Sequence, residues 1–259
     1  MNLKPKIAFI TLTNDGYIDL TLNCLQSLQR IGFEKELICY AIGDAANDKL
    51  SKRGYNSVQI NDEKYNSFEK FRGPHWGTMM TYKLDIIYQN LLTHDYVCYT
   101  DGDIVFESPD FFQYCIENIG NEELLIQNDA LDDDDDSLLC CGFMLIRSNA
   151  NTINIYNPKT VIAHTVGEVD DQVYINSQKH KLKHKKLPLH FFPNGAFFKV
   201  HQRHIKPFMI HFNHMQGHIK IYEILKKRKW QSTELLLKFS ITAFRKILQA
   251  FLRRLKLQF

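Results

Sequence analysis

The first 42 residues alternate between short apolar runs and one amphipathic segment, and this order strongly constrains the fold. KIAFITL (6–12) is rich in β-branched and aromatic residues, which favour a strand. Residues 17–32 place apolar side chains at helical spacing and end at Gly32, and ELICYAI (36–42) reads as a second strand. A strand, a helix and a strand in this order begin a parallel sheet, so we expect an α/β fold.

The remaining sequence continues this alternation without an internal repeat. The chain has 259 residues, which is enough to bury most of a continuous core. The five-aspartate run at 132–136 reads as a solvated loop. We predict a helix over 76–92, strands over 95–106, 123–129 and 138–148, a helix over 149–156, and strands near 188–192 and within 206–213.

Cysteine spacing and the N-terminus bear on the compartment. The six cysteines form no CxxC pair, which is typical of free thiols in a reducing compartment. The apolar run near the N-terminus is shorter than a signal-peptide core, and no uncharged apolar stretch is long enough to span a bilayer. We therefore expect a cytoplasmic protein.

Basic residues are concentrated at the C-terminus. Residues 226–259 hold ten Lys and Arg and one acidic side chain, a net charge of +9, whereas the preceding residues hold 22 basic and 28 acidic side chains, a net charge of −6. From Thr233 onward the apolar residues fall on one side of a helical wheel, with most of the cations opposite. Such a helix could pack on the domain or form a dimer. Its many cations favour peripheral binding to an anionic membrane surface.

Two aspartates at the end of an apolar strand are the strongest local signal. Asp101 and Asp103 flank Gly102, at the kind of strand end where open α/β sheets bind ligands. Carboxylates this close resist joint ionisation unless a cation lies between them. Oxygen-rich sites suit Mg²⁺ or Mn²⁺, which bridge readily to a diphosphate. An Asp-x-Asp triplet also occurs in many ordinary turns, so the strand context is what makes it informative.

A second signal lies in HFNHMQGHIK (211–220). His211 follows an apolar run that reads as a strand, so we expect its imidazole at the same sheet edge as the two aspartates, where it could supply a third metal ligand. Lys220 and the backbone near Gly217 could hold phosphate oxygens. Taken alone, a histidine among apolar neighbours is more often structural.

Four segments together resemble the GT-A glycosyltransferases related to glycosyltransferase family 8 and the nucleotide-diphospho-sugar transferases. YTDGDIVF resembles their metal-binding DxD strand, CCGFMLIRS their NxGxxLI strand, DQVYIN (171–176) their DQDxxN segment, and HFNHMQGHIK their closing HxNxxxGxxK or HxxGxxK motif. The order and spacing match from about residue 6 to residue 222. The resemblance implies a GT-A-like, Rossmann-like, mixed but mainly parallel sheet flanked by helices. Residues 1–225 would form this catalytic domain and 226–259 the basic amphipathic tail.

The resemblance also implies the site residues. Mn²⁺ or Mg²⁺ would be bound by Asp101, Asp103 and His211, with His214 as third ligand if the shorter motif applies. The other implied contacts are Thr11, Thr13 and Tyr17 to the nucleotide, Asp101 to the ribose, Lys83 to the donor, Gly217 and Lys220 to the diphosphate, and Asp171 and Gln172 to the transferred sugar near its anomeric carbon.

The implied reaction is metal-dependent hexosyl transfer from a nucleotide sugar, with a UDP-sugar as the expected donor, to a glycan or glycolipid acceptor with retention of configuration. The chain departs from the family at Cys140, where a sugar-contacting asparagine is usual, and at Ile221-Tyr222, where Pro-Trp often follows the lysine. One alternative is a metal-dependent phosphohydrolase or nucleotidyltransferase. Another is a non-catalytic basic protein that binds membranes or nucleic acid, although we expect no nucleic-acid partner.

Overall fold

The structure is a computed structural model that describes residues 5–62, 76–165, 169–215, 217–227 and 229. Its strands are β1 (Ile7–Asn14), β2 (Leu37–Ile42), β3 (Ser57–Ile60), β4 (Tyr96–Thr100), β5 (Ile104–Phe106), β6 (Leu124–Asn128), β7 (Leu139–Arg147), β8 (His184–Leu187) and β9 (Met209–His211). Its helices are α1 (Ile18–Arg30), α2 (Asp44–Ser51), α3 (Trp76–Leu91), α4 (Asp110–Asn118), α5 (Ala150–Tyr156), α6 (Pro158–His164), α7 (Asp171–Gln178), α8 (Gly195–His201) and α9 (Gly217–Lys226).

Seven strands form one mixed sheet in the order β3-β2-β1-β4-β7-β6-β8. All neighbouring strands are parallel except β7, which runs antiparallel to both β4 and β6. The α/β class and the mainly parallel sheet flanked by helices are therefore confirmed. Because β7 is reversed, its first residues meet the carboxyl ends of β4 and β6 at one edge of the sheet.

Residues 95–106 were predicted as one strand, and this prediction is wrong. The segment divides at Asp101–Asp103, where Ile104 donates its backbone N–H to Asp101 O in a turn. β4 stays in the main sheet, and β5 pairs antiparallel with β9 in a separate two-stranded sheet. The turn therefore places both aspartates between the two sheets, with His211 at the end of β9.

The strand expected near 188–192 is also misplaced. The strand is β8, which lies inside the basic stretch before Pro188 and pairs with β6 at the edge of the main sheet. Charged side chains are common on edge strands because they discourage pairing with a further strand. The residues after Pro188 instead form a turn, in which Phe191 and Phe192 donate their backbone N–H groups to Pro188 O.

Apolar side chains pack in two clusters on opposite faces of the main sheet. Along β1, Phe9 belongs to the cluster that includes α1 and β5, whereas Ala8, Ile10 and Leu12 belong to the cluster that includes α3, α5 and α7. Successive residues of a strand point to opposite faces, so this alternation shows that both faces of β1 are covered.

All six cysteines are buried and free, as their spacing predicts. Among the described helices, none combines the length and the apolar character that crossing a bilayer requires. The predicted amphipathic helix from Thr233 onward lies outside the described residues.

Candidate functional site

A cavity of about 650 Å³ opens at the edge of the sheet where β4 ends and β7 begins. The two strands are joined there by the Asp101 N–H, which donates to Gly142 O over 2.7 Å. Ligands of open α/β sheets bind at the carboxyl ends of strands, and this cavity lies at such an edge. Helices α3 and α7 supply the other walls through Met79, Lys83 and Asp171.

Asp101, Asp103 and His211 form a cluster with the geometry of a metal site. One oxygen or nitrogen atom from each side chain lies within 4.8 Å of the other two. His211 Nε2 lies 3.2 Å from Asp103 Oδ1 and 3.8 Å from Asp101 Oδ2. Two carboxylates with one imidazole form a donor set that fits Mn²⁺ or Mg²⁺, which prefer oxygen ligands.

Two glycines make room for this cluster. A Cβ on Gly102 would lie 2.4 Å from Thr21 Oγ1 of helix α1, so the turn between the aspartates packs tightly on that helix. A Cβ on Gly142 would lie 2.1 Å from His211 Cε1. The imidazole therefore occupies the space above a residue of β7 that has no side chain.

The charges of the cluster are balanced by Lys220. Its Nζ donates to Asp103 Oδ2 in a close ion pair. Burial opposes ionisation of Asp103, but Lys220 and His211 outweigh it and lower the pKa of that carboxyl. Burial alone would lower the pKa of His211, yet Asp103 and Cys140 raise it well above its ordinary value. Asp103 therefore favours the charged form of the imidazole.

Asp101 belongs to a second charged group with Lys83. Lys83 Nζ lies 3.2 Å from Asp101 Oδ1 and 2.7 Å from Asp171 Oδ2, and Tyr99 donates its hydroxyl to Asp101 Oδ1. Burial raises the pKa of Asp101, although Lys83 opposes this. Burial would lower the pKa of Lys83, but Asp101 and Asp171 raise it well above its usual range. Lys83 is thus a buried cation shared by two carboxylates.

A third group surrounds Asp129, the residue that follows β6. Its carboxylate accepts from Gln172 Nε2 and from Asn213 Nδ2, each over 2.9 Å, and lies 3.3 Å from His214 Nε2. Burial raises the pKa of Asp129, but the hydrogen bonds from His214 and Gln172 outweigh this effect and lower it. His214 therefore pairs with Asp129, whereas His211 joins the two metal-binding candidates.

The structure brings most of the predicted site residues to the cavity. Its lining includes Tyr17, Lys83, Asp101, Asp171, Gln172, His211, His214 and Lys220. Gly217 begins α9, one turn before Lys220. Asp103, Thr11 and Thr13 do not belong to the described lining of the cavity. Asp103 lies behind it in the ion pair with Lys220, and the side chains of Thr11 and Thr13 are buried on the α1 side of β1. Thr13 Oγ1 accepts instead from Thr21 Oγ1 over 2.8 Å.

Sequence reasoning assigned no role to three residues that the structure places at or behind the site. Asp129 accepts from both Gln172 and Asn213, and Gln127 contacts His211. Asp129 carried a usable signal, since it follows an apolar strand as Asp101 does. Asn213 is the asparagine of the HxNxxxGxxK motif, but its contact with Asp129 lies 84 positions away. Gln127 carried no signal, because its contact with His211 also lies 84 positions away.

These groups together can bind an anion at one end of the cavity and a ring that carries hydroxyl groups at the other. One end of the cavity offers a cation site and the Lys220 ammonium, which suits phosphate oxygens. The other end offers carboxylates and amides from Asp129, Asp171 and Gln172, which suit hydroxyl groups. Leu138 and Val173 add exposed apolar surface to the lining.

Comparison with known proteins places this chain among sugar transferases. The family model described as nucleotide-diphospho-sugar transferase matches residues 34–223. The chain is also similar to the UDP-galactose:fucoside alpha-3-galactosyltransferase of Dictyostelium discoideum, with 25% identity over 271 aligned residues. That alignment covers 83% of this chain but 41% of the relative, so the chain spans less than half of the relative's length.

Solved structures share the fold at low sequence identity. The galactosyltransferase LgtC, solved with donor and acceptor sugar analogs, has a TM-score of 0.55 and 13% identity, covering 78% of this chain and 86% of LgtC. The glycosyltransferase GlyE of Streptococcus pneumoniae TIGR4 has a TM-score of 0.57 and 14% identity, covering 93% of this chain and 64% of GlyE. At these identities the likeness concerns the fold alone.

Proposed function

The chain belongs to the nucleotide-diphospho-sugar transferase family, and on that premise we propose that it transfers a hexosyl group from a UDP-sugar to a glycan or glycolipid acceptor. The observation that carries the proposal is the cluster of Asp101, Asp103 and His211 beside Lys220, at one end of a cavity large enough for a nucleotide sugar. The name of the Dictyostelium relative supports UDP-galactose as the first donor to test.

The diphosphate of the donor would bind between the acidic cluster and α9. Asp101, Asp103 and His211 would hold Mn²⁺ or Mg²⁺, and Gly217 and Lys220 would contact phosphate oxygens. A bound cation supplies positive charge that offsets the negative charge of the departing diphosphate. Lys220 adds to this by transferring its hydrogen bond from Asp103 to the diphosphate. Removing one such contact typically costs about 10²–10³-fold in rate.

The transferred sugar would lie between α3 and α7. Asp171 is held by Lys83 and would accept hydrogen bonds from sugar hydroxyls. Gln172 is oriented by Asp129 and would lie near the anomeric carbon. Tyr17, in the cavity wall, would contact the nucleotide. We propose transfer on one face of the sugar with retention of configuration, and we assign no covalent nucleophile.

The proposal also assigns roles to the basic tail and to the exposed apolar residues of the cavity lining. We infer that residues 1–225 form the catalytic domain and that the basic tail 226–259 holds it at an anionic membrane surface from the cytoplasmic side. The net charge of +9 in the tail supports this placement. Leu138 and Val173, exposed in the cavity lining, suit the apolar face of an acceptor sugar.

Calorimetric titration of nucleoside diphosphates and nucleotide sugars, with and without Mn²⁺, tests the proposal. We expect wild type to bind UDP and UDP-galactose only with Mn²⁺, and Asp103→Asn to lose that binding. Asp48→Asn is the matched control, because Asp48 lies on α2 away from the cavity and forms an exposed ion pair with Lys52. Failure of folded wild type to bind any nucleotide with Mn²⁺ would refute the proposal. Hydrolysis with no transfer to any glycan would favour a phosphohydrolase.

A further inference from the structure

Gln127 is a buried polar residue that contacts His211, one of the three candidate metal ligands. It lies on β6 with no exposed surface and takes no part in the described lining of the cavity. Buried amides are retained where each polar atom has a partner, so the partners of Gln127 indicate its role.

The hydrogen bonds of Gln127 determine the orientation of its amide. Its Nε2 donates to Phe192 O and to Pro193 O, each over 3.1 Å. Carbonyl oxygens only accept, so both amide hydrogens are used there and the nitrogen cannot exchange places with Oε1. Oε1 therefore faces His211 Nδ1, 2.7 Å away.

An amide oxygen can only accept, so this short contact requires a hydrogen on His211 Nδ1. In a neutral imidazole, a hydrogen on Nδ1 leaves the lone pair on Nε2. Nε2 is the nitrogen that points at Asp103 and Asp101. Once Nε2 has released its proton to solvent, the neutral ring can bind a cation through Nε2 while Nδ1 keeps its hydrogen on Gln127 Oε1.

We propose that Gln127 is a positioning residue that holds His211 in the tautomer needed to bind the divalent cation through Nε2. This inference rests on the cation site of the proposed function. Residues that orient a histidine ligand in this way typically change metal affinity by about 10–100-fold when they are removed.

The alternative partner of Nδ1 is Cys140, whose Sγ lies 3.6 Å away. A thiol is a weak acceptor, and Cys140 Sγ also receives Asn213 Nδ2 over 3.7 Å. The shorter bond to an amide oxygen is therefore the one that selects the tautomer.

Two substitutions separate this role from a purely structural one. Gln127→Met and Gln127→Glu both remove the amide that donates to Phe192 O and Pro193 O, so both should lower the melting temperature. Only Gln127→Glu keeps an oxygen that can accept from His211 Nδ1. Gln178→Met is the matched control, because Gln178 is similarly buried but bonds to Ser177 on α7 and to Lys181, three residues further along the chain.

The measurement is the Mn²⁺ affinity of the full chain in the absence of nucleotide. The electron paramagnetic resonance signal of free Mn²⁺ gives the fraction that is bound. We expect Gln127→Met to weaken binding about 10–100-fold. Gln127→Glu and Gln178→Met should stay within about threefold of wild type, which is below the smallest loss expected from removing the orienting partner.

Equal Mn²⁺ affinity of Gln127→Met and wild type would overturn the inference while leaving the proposed donor site intact. Equal losses in Gln127→Met and Gln127→Glu would also overturn it, since they would point to the lost anchoring of residues 192–193. Absence of Mn²⁺ binding by wild type, with and without UDP, would refute the cation site itself and the inference with it.

Discussion

Lys83 Nζ lies 2.7 Å from Asp171 Oδ2, and both side chains are almost fully buried, at 4% and 8% exposure. Lys83 comes from α3 and Asp171 opens α7, so this ion pair joins two walls of the cavity. The same ammonium lies 3.2 Å from Asp101, which extends the connection to the acidic cluster. Lys83 thus joins two walls of the cavity to the acidic cluster.

Replacement of Lys83 by methionine should destabilise the fold, because it leaves the buried Asp171 and the partly buried Asp101 without their shared cation. Removing one partner of a buried ion pair typically costs about 3–5 kcal/mol. The free energy of unfolding, measured with urea at pH 7, checks this. The double variant Lys83→Met/Asp171→Leu should be less destabilised than Lys83→Met alone, and the opposite order would show that the ion pair is not what stabilises these walls.

Gly142→Ala should displace the His211 imidazole and weaken Mn²⁺ binding, with a smaller effect on the stability of the fold. The new Cβ would lie 2.1 Å from His211 Cε1, so the imidazole must move away from the aspartates. Overpacking of this kind costs about 1–3 kcal/mol. We expect a modest fall in melting temperature and a loss of Mn²⁺ binding of at least about 10-fold, since a misplaced ligand weakens the site.

Met144→Leu is the control for Gly142→Ala on the same strand. Met144 packs in the cluster with α3 and α5, away from His211, and a volume-conserving exchange costs less than about 1.5 kcal/mol. Its Mn²⁺ affinity should match wild type. Unchanged Mn²⁺ affinity in Gly142→Ala would mean that the imidazole position tolerates the added methyl group.

Asp129→Asn should slow transfer while leaving nucleotide binding intact. Asp129 accepts from both Gln172 and Asn213, and an asparagine can accept with one atom only. A displaced Gln172 is expected to cost about 10²-fold in kcat, the usual effect of misplacing a group near the reacting atoms. Steady-state kinetics with UDP-galactose measures the expected loss of kcat. Calorimetry with UDP and Mn²⁺ measures whether nucleotide affinity is unchanged. A fall in UDP affinity instead would place Asp129 in the nucleotide site.

The main elements of the fold could be predicted because their patterns are local. β1, α1, β2 and α3 each carry an apolar pattern of one clear period, and each lies within two residues of its predicted bounds. The short elements α2, β3, α4, α6 and α8 were not predicted, since few residues in each are buried. The break between β4 and β5 was missed although Asp101-Gly102-Asp103 marks it, because the apolar residues on both sides of the triplet read as one buried strand.

The site residues that lie in a local sequence pattern could be predicted, and those that depend on long-range contacts could not. Asp101 follows an apolar run, Asp103 stands two residues after Asp101, and His211 ends an apolar run, all of which is visible in the sequence. The face of Thr11 and Thr13 was not visible, because β1 is buried on both sides and lacks a polar and apolar alternation. Gln127 acts through residues 65 and 84 positions away, which only the folded chain reveals.

The ion pair between His211 and Asp103 predicts a pH dependence of the metal-free protein. Burial lowers the pKa of His211, but Asp103 and Cys140 raise it well above 6.5. A raised pKa in the folded state contributes stability that is fully present below 6.5 and is lost as pH rises through the folded value. With a chelator present, the melting temperature of wild type relative to His211→Gln should therefore fall as pH rises above 6.5. The exposed His204→Gln is the control, and a difference independent of pH would contradict a charged His211.

The basic tail predicts membrane binding that can be separated from donor binding. Deletion of residues 233–259 removes six of the ten cations of the tail together with its apolar face. Each cation near an anionic bilayer contributes about 1 kcal/mol, so the full chain should co-sediment with phosphatidylserine vesicles and the deletion should not. Binding should weaken with added salt and be much weaker on phosphatidylcholine, because the attraction is partly electrostatic. Calorimetry with UDP and Mn²⁺ should give the same affinity for both forms. If the full chain does not bind the vesicles but forms a dimer that the deletion abolishes, the helix is an interface between two copies.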